Sequence, residues 1–293
     1  MINSLPSTIL LMINQSNEVN GMPKVVMTFP EGKHKVLTMS YDDGKASDRR
    51  LVEIFNRYGI KGTFHLNSGL FGTGDRIPEN EVAELYRNHE ISVHTVTHPT
   101  IARSPKEQLL HEILEDRKNL ERITDYTVRG MSYPNGSYNS YIKELLPYLG
   151  IEYSRTVNST GDFSIPDDLL EWNPTCHHNK ELMQRADDFL NLHKKQYLYM
   201  MYVWGHSYEF DNDQNWDLIE HFCEYVGNRE DIWYATNIEI VDYMTAFKNL
   251  KFSASSQFVF NPSAMSVWLS VDEKIFEVKG GSQLLLTEEA LAE

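Results

Sequence analysis

The chain has 293 residues, 41% hydrophobic and 24% charged, the make-up of a globular protein able to bury a sizeable core. Its 42 acidic residues against 27 basic ones leave a net charge of −15, which argues against a broad basic face for nucleic acid or anionic membrane. Two cysteines, Cys176 and Cys223, are too few for a disulfide framework.

Residues 1–22, rich in Asn and Ser and without periodicity, read as an N-terminal extension, with Met22 as an alternative start. The longest candidate membrane segment, near residues 9–13, is far short of the ~20 residues of a membrane span. No Lys or Arg precedes it, as a signal peptide would require, so we expect a soluble, cytoplasmic protein. From about residue 35 the pattern alternates between short β runs and amphipathic stretches. "KVLTMSY" (35–41) is the first strand, and Leu51, Ile54, Phe55 and Tyr58 then form one apolar helix stripe closed by Gly59. "KGTFHL" (61–66) and "ISVH" (91–94) are the next strands, with a helix near 79–89 between them. Ser104, Pro105 and Glu107 predict a capping box opening the following helix.

"VRGMSY" (128–133), "IEYSRTV" (151–157), "QYLYMMYVW" (196–204) and "IWYAT" (232–236) complete seven strands, and Thr236 with Glu239 forms a second capping box. Seven βα units without a glycine-rich nucleotide loop predict an α/β fold, a closed or nearly closed (β/α) barrel spanning 23–250. Beyond residue 250 the period changes, and turns at Asn261-Pro262, Asp272-Glu273 and Gly280-Gly281 predict a small C-terminal β appendage over 251–293.

Barrels of this kind place their sites at strand C-termini. Asp42 and Asp43 end the first strand, His94 the third, with His98 four residues on, and His206 the sixth, while Arg129 and Tyr133 lie on the fourth. Asp42-Asp43-Gly44 alone reads first as a polar turn, and His206 alone reads equally as a satisfied core histidine. Trp172 and Trp204 read as core aromatics. "HTVTH" (94–98) can place two imidazoles on one metal, and a carboxylate would complete a site with positions open for water. Cys176, His177 and His178 offer further ligand types, but they read as a loop outside the strand-end pattern.

In this order the residues resemble the polysaccharide deacetylase family of carbohydrate esterases. "SYDDG" is similar to its T-F-D-D-G motif, and "HTVTH" matches H-[S/T]-x-x-H in full. "RGMSYPNG", "DLLEW" (168–172) and "WGH" (204–206) match its other three motifs more loosely. The resemblance spans about residues 35–250 and implies a distorted (β/α) barrel, in accord with the seven units. It implies Asp43, His94 and His98 as ligands of a divalent metal, zinc first, with cobalt, nickel or manganese as alternatives. Asp42 would be the general base, His206 the general acid, and Arg129 the residue orienting Asp42. Tyr133, Asn135, Trp172 and Trp204 would bind substrate, Trp172 lining the acetyl pocket and the backbone beside Asn135 holding the oxyanion. The implied activity is removal of N-acetyl groups from an N-acetylglucosamine-containing oligo- or polysaccharide, with no nucleic-acid or membrane partner and with a homo-oligomer allowed. The alternatives are an O-acetyl esterase or other amidohydrolase, and a carbohydrate-binding protein with a degenerate site.

Overall fold

In the computed structural model, which describes residues 23–286, a parallel sheet curls into a barrel flanked by helices. The extension at 1–22, with its apolar run and Met22, lies outside the described residues. The strands in chain order are β1 (Val25–Thr28), β2 (Lys35–Asp42), β3 (Gly62–Leu66), β4 (Glu90–Val93), β5 (Gly130–Ser132), β6 (Tyr153–Arg155), β7 (Cys176–His177), β8 (Tyr199–Gly205) and β9 (Ile232–Tyr234). The barrel order is β6-β5-β4-β3-β2-β8-β7, all parallel, and β9 pairs with the first three residues of β2. Between β6 and β7 the wall is completed by residues 172–175: Thr156 N–H donates to Trp172 O and Thr175 N–H to Tyr202 O.

The distorted barrel therefore agrees with the expectation, but it holds eight parallel strands rather than about seven. The addition is β7, whose two residues are too short to show any period. The helices are α1 (Asp48–Arg57), α2 (Glu79–Leu85), α3 (Lys106–Thr124), α4 (Ser140–Leu145), α5 (Leu182–Leu190), α6 (Tyr208–Asn212), α7 (Trp216–Val226) and α8 (Asn237–Lys248). The capping box of Thr236 with Glu239 forms as read. The one expected at Ser104 does not, because extended Pro105 is itself the N-cap of α3 and leaves Ser104 one residue too early.

Side chains alternate across each strand. On β2, Leu37, Met39 and Tyr41 pack outward against helices, while Val36, Thr38, Ser40 and Asp42 face the interior. That interior is unusually polar, and its lower half is closed by one network. Glu90 accepts from Thr63 Oγ1 (2.9 Å), Tyr153 Oη (2.6 Å) and Ile238 N–H (2.9 Å). Burial pushes the Glu90 carboxyl up to about 7. A Cβ on Gly130 would lie 2.2 Å from the Tyr153 ring, so glycine is what lets that tyrosine lie across the barrel. With the floor sealed by such contacts, the open end lies at the strand C-termini.

The appendage adds β10 (Lys251–Phe252), β11 (Phe258–Phe260), β12 (Val267–Val271), β13 (Lys274–Val278) and β14 (Gln283–Leu285) in two antiparallel sheets, β1-β12-β13 and β10-β11-β14. The three expected turns link β11 to β14, and Asp272 and Glu273 both take positive φ, as a tight two-residue hairpin needs. The boundary at residue 23 requires correction: β1 pairs with β12 and so belongs to the appendage. Val259, Leu269, Val271 and Val278 form its core, joined by Phe247 and Leu250 from the end of α8.

Candidate active site

Asp42 is the last inward residue of β2. Asp43 and Gly44 then turn with φ of 81° and 61°. For an aspartate the left-handed region costs about 1–2 kcal/mol, and this turn is what brings two adjacent carboxylates to one mouth. Asp42 Oδ2 lies 3.8 Å from His94 Nε2 and 4.0 Å from His206 Nε2. Its other oxygen accepts from Ser132 Oγ (3.1 Å). The fully buried Arg155 guanidinium is ion-paired to Oδ2 and stacks over the Trp204 ring at 4.5 Å. Burial pushes the Asp42 carboxyl up, but Arg155, with His94, His65 and His206, outweighs it and holds the group far below the usual carboxylate range.

After β4 the chain carries His94, then Thr95 (φ 69°) and His98 (φ 61°), two more left-handed residues in five. Strained backbone of this kind persists only where its surroundings enforce it. Here α3 does so. Glu112 accepts from Thr97 N–H (2.8 Å) and Thr97 Oγ1 (2.6 Å), and Asp116 accepts from His94 N–H (3.0 Å) and Ser68 N–H (2.7 Å). These carboxylates, one helical turn apart, were missed in the sequence, although i,i+4 acids on the helix after "HTVTH" are a visible signal. We expect Asp116→Ala to leave the Ser68 N–H unpaired and the His94 N–H with Leu66 O as its acceptor, at a cost of about 1–3 kcal/mol, measured by denaturant unfolding.

His94 Nδ1 lies 3.0 Å from Ser132 O, which fixes its proton there and turns the Nε2 lone pair toward the acids. Burial lowers the His94 pKa to about 4, so the ring is neutral, as a ligand must be. Asp43 Oδ1 is buried without a hydrogen-bond partner among the described residues, 3.7 Å from His98 Nε2 and 3.9 Å from His94 Nε2. Donors on one tetrahedral ion with bonds of ~2.1 Å lie about 3.4 Å apart, so the three residues fit a divalent metal after a small contraction. An orphaned carboxylate oxygen facing two imidazoles is what such an ion would satisfy.

Other expected residues are placed differently. Arg129 does not orient Asp42. It precedes β5 at the lower end and pairs with Asp242 (2.7 Å) and Glu152 (3.0 Å), a strand's length from Asp42. Arg155, at the upper end of β6, holds Asp42 instead. Tyr133 is outward of the inward Ser132, with its hydroxyl on Leu170 O (2.7 Å) and its ring stacked on Tyr138, so its side chain does not face the mouth. Trp172 is buried in the barrel interior, edge-on to Tyr153 and Tyr202. Asp168 and Glu171 of "DLLEW" pair with Lys143 on the surface. Asn135 is exposed at the mouth, in a left-handed turn (φ 56°) beside Thr100.

His206 follows β8 directly. Burial works to lower its pKa, but Glu209 and Asp42 outweigh it and the group sits above its ordinary value. Cys176-His177-His178 is not a detached loop as read: β7 places both histidines at the mouth, with Nε2 of each 3.2 Å from Glu209 Oε2.

The family model described as Polysaccharide deacetylase matches residues 30–154. The matched stretch, β2 to β6, is similar to the polysaccharide deacetylase family. Peptidoglycan-N-acetylmuramic acid deacetylase PdaC of Bacillus subtilis is 25% identical over 132 residues, 43% of this chain and 27% of its own. The chitooligosaccharide deacetylase of Rhizobium leguminosarum bv. phaseoli is 20% identical over 141 residues, 48% of this chain and 56% of its own. The chain thus spans between about a quarter and about half of the length of these curated relatives. The fold is shared with a polysaccharide deacetylase assignment from Mycobacterium smegmatis (15% identity, TM-score 0.55, 77% of this chain and 95% of that one). It is shared too with the Xyl-CE4 domain of a multidomain xylanase from the hindgut metagenome of Trinervitermes trinervoides (16%, TM-score 0.50, 73% and 92%). The deacetylase match covers Asp42, Asp43, His94 and His98, while Arg155, His206 and Glu209 lie beyond it. Among the described residues no helix is long and apolar enough to cross a membrane.

Proposed function

We propose that the barrel is a metal-dependent deacetylase that hydrolyses N-acetyl groups on an N-acetylglucosamine-containing oligo- or polysaccharide. The observation that carries this reading is the buried, partnerless Asp43 Oδ1 facing His94 and His98, with Asp42 and His206 on its flank. Zinc suits a carboxylate and two imidazoles in a site of this size, and when bound it would supply Lewis acidity at the acyl oxygen and an acidified water.

The chain's own groups do the rest. Asp42, kept ionised by Arg155, takes a proton from the attacking water. His206, on the far side of Asp42, gives a proton to the departing amine, which leaves poorly without one. The backbone N–H at the exposed Asn135 turn is the donor this reading assigns to the oxyanion. Trp204, held by Arg155, forms the wall against which a sugar ring would lie.

Acetate release from chitooligosaccharides of graded length tests this directly. The metal-stripped protein should be inactive, and one equivalent of zinc per chain should restore turnover. Release from acetylated xylan but not from chitooligosaccharides would instead indicate an O-acetyl esterase, and release from neither would remove the enzymatic reading.

A further inference from the structure

Three imidazoles surround one carboxylate beside the mouth. Glu209, on α6, has Oε2 3.2 Å from both His177 Nε2 and His178 Nε2, and Oε1 3.3 Å from His206 Nδ1. It also accepts from the His206 backbone N–H at 3.2 Å. So one side chain holds the main chain of His206 by a hydrogen bond and stands at ion-pair distance from its ring, whose Nδ1 has no hydrogen-bond partner among the described residues.

The other two histidines explain why Glu209 stays where it is. His177 Nδ1 accepts from Asn179 N–H at 3.2 Å, which places its proton on Nε2, the atom facing Glu209. That tautomer turns an N–H toward the carboxylate, whereas a second metal held by His177, His178 and Glu209 would need the Nε2 lone pair. His178 is fully buried, sandwiched between Tyr41 (ring centroids 5.6 Å) and Phe210 (4.1 Å). Its Nδ1 approaches Gly205 so closely that a Cβ there would lie 2.0 Å away. Neither of its nitrogens has a hydrogen-bond partner among the described residues, and Nε2 stands at ion-pair distance from Glu209. Burial pushes the Glu209 carboxyl up, but the three imidazoles outweigh it and hold it well below the usual range.

We propose that Glu209, fixed by His177 and His178, is the positioning residue that holds His206 protonated and aimed at the leaving nitrogen, so that the hub acts on amide rather than activated-ester hydrolysis. This rests on the deacetylase reading above. In the step concerned, water adds its oxygen to the acyl carbon and one of its protons passes to Asp42. The C–N bond breaks with its electron pair going to nitrogen, and that nitrogen takes the Nε2 proton of His206. Acetic acid leaves and ionises, and the proton on Asp42 resets His206. Glu209 Oε1 stands 3.3 Å from Nδ1 on the side of the ring away from Asp42, and its charge favours the orientation in which Nε2 points to the mouth. An aryl acetate leaves as a stable phenolate and needs no such proton.

The test compares two substrates in the zinc-loaded protein. Glu209→Gln should lower acetate release from a chitooligosaccharide about 10–100-fold and lower 4-nitrophenyl acetate hydrolysis less than about threefold, with bound zinc unchanged. His178→Phe, which keeps the aromatic stack, should show the same split at smaller size and serves if the first variant folds poorly. Equal losses on both substrates, no loss on either, or loss of a second zinc equivalent would overturn the proposal while leaving the deacetylase reading intact. A wild-type protein inactive on the amide would overturn both.

Discussion

Asp43→Ala should lose bound metal and acetate release together, whereas Asp42→Asn should keep the metal and lose turnover. The two residues are adjacent, yet the structure separates their surroundings. Asp43 Oδ1 has no hydrogen-bond donor among the described residues and faces only the imidazoles of His94 and His98. Asp42 is already committed to Arg155 and Ser132. Removing Asp43 takes away the one anionic ligand of the triad. The Lewis-acid contribution it supports is several kcal/mol, or at least ~10³-fold in rate. Asp42→Asn removes a proton acceptor, for which ~10²–10⁴-fold is usual. Metal content by elemental analysis beside acetate release separates the two outcomes. Retention of metal in Asp43→Ala would show that the triad is misassigned.

How much of this was legible in the sequence depends on where each residue stands. Asp42, Asp43, His94 and His206 announce themselves because each closes a strong strand pattern, and reactive side chains at strand C-termini converge at a barrel mouth. Arg129 misled because a strand has two ends. It precedes β5, and only the pairing of Ser132 with Arg155 shows which arginine lies level with the Asp42 carboxylate. His177 and His178 were read as loop residues because β7 is two residues long and leaves no period. Glu209 escaped for a different reason: its three partners stand at the ends of two strands, β7 and β8, and its own spacing to His206 is an ordinary helical contact. The left-handed turns at Asp43 and His98 are likewise invisible in one sequence, since neither residue is glycine. Supporting residues of this kind are set by tertiary contact, which no local pattern carries.

Arg155→Met should cost about 3–5 kcal/mol of stability at neutral pH and should do so through Asp42. The guanidinium is fully buried, so its loss leaves the Asp42 carboxylate charged and uncompensated in the barrel interior. The dependence on pH has a definite sign. In the wild type the Asp42 pKa is depressed below its unfolded value of about 4. The pair's contribution is therefore complete above that value and is lost as pH falls toward the folded pKa. In the variant, burial without Arg155 raises the Asp42 pKa above the unfolded value, and folding then favours the protonated acid. The gap in unfolding free energy between the two proteins should be widest at neutral pH and narrow as pH drops through about 4. Adding Asp42→Asn to Arg155→Met should recover much of the lost stability without recovering turnover, because the uncompensated charge is gone but so is the base. Denaturant unfolding of the four proteins of this cycle, from pH 4 to 7.5, measures the coupling. A double variant as unstable as Arg155→Met alone would mean that Arg155 stabilises the barrel through its stacking on Trp204 and not through Asp42.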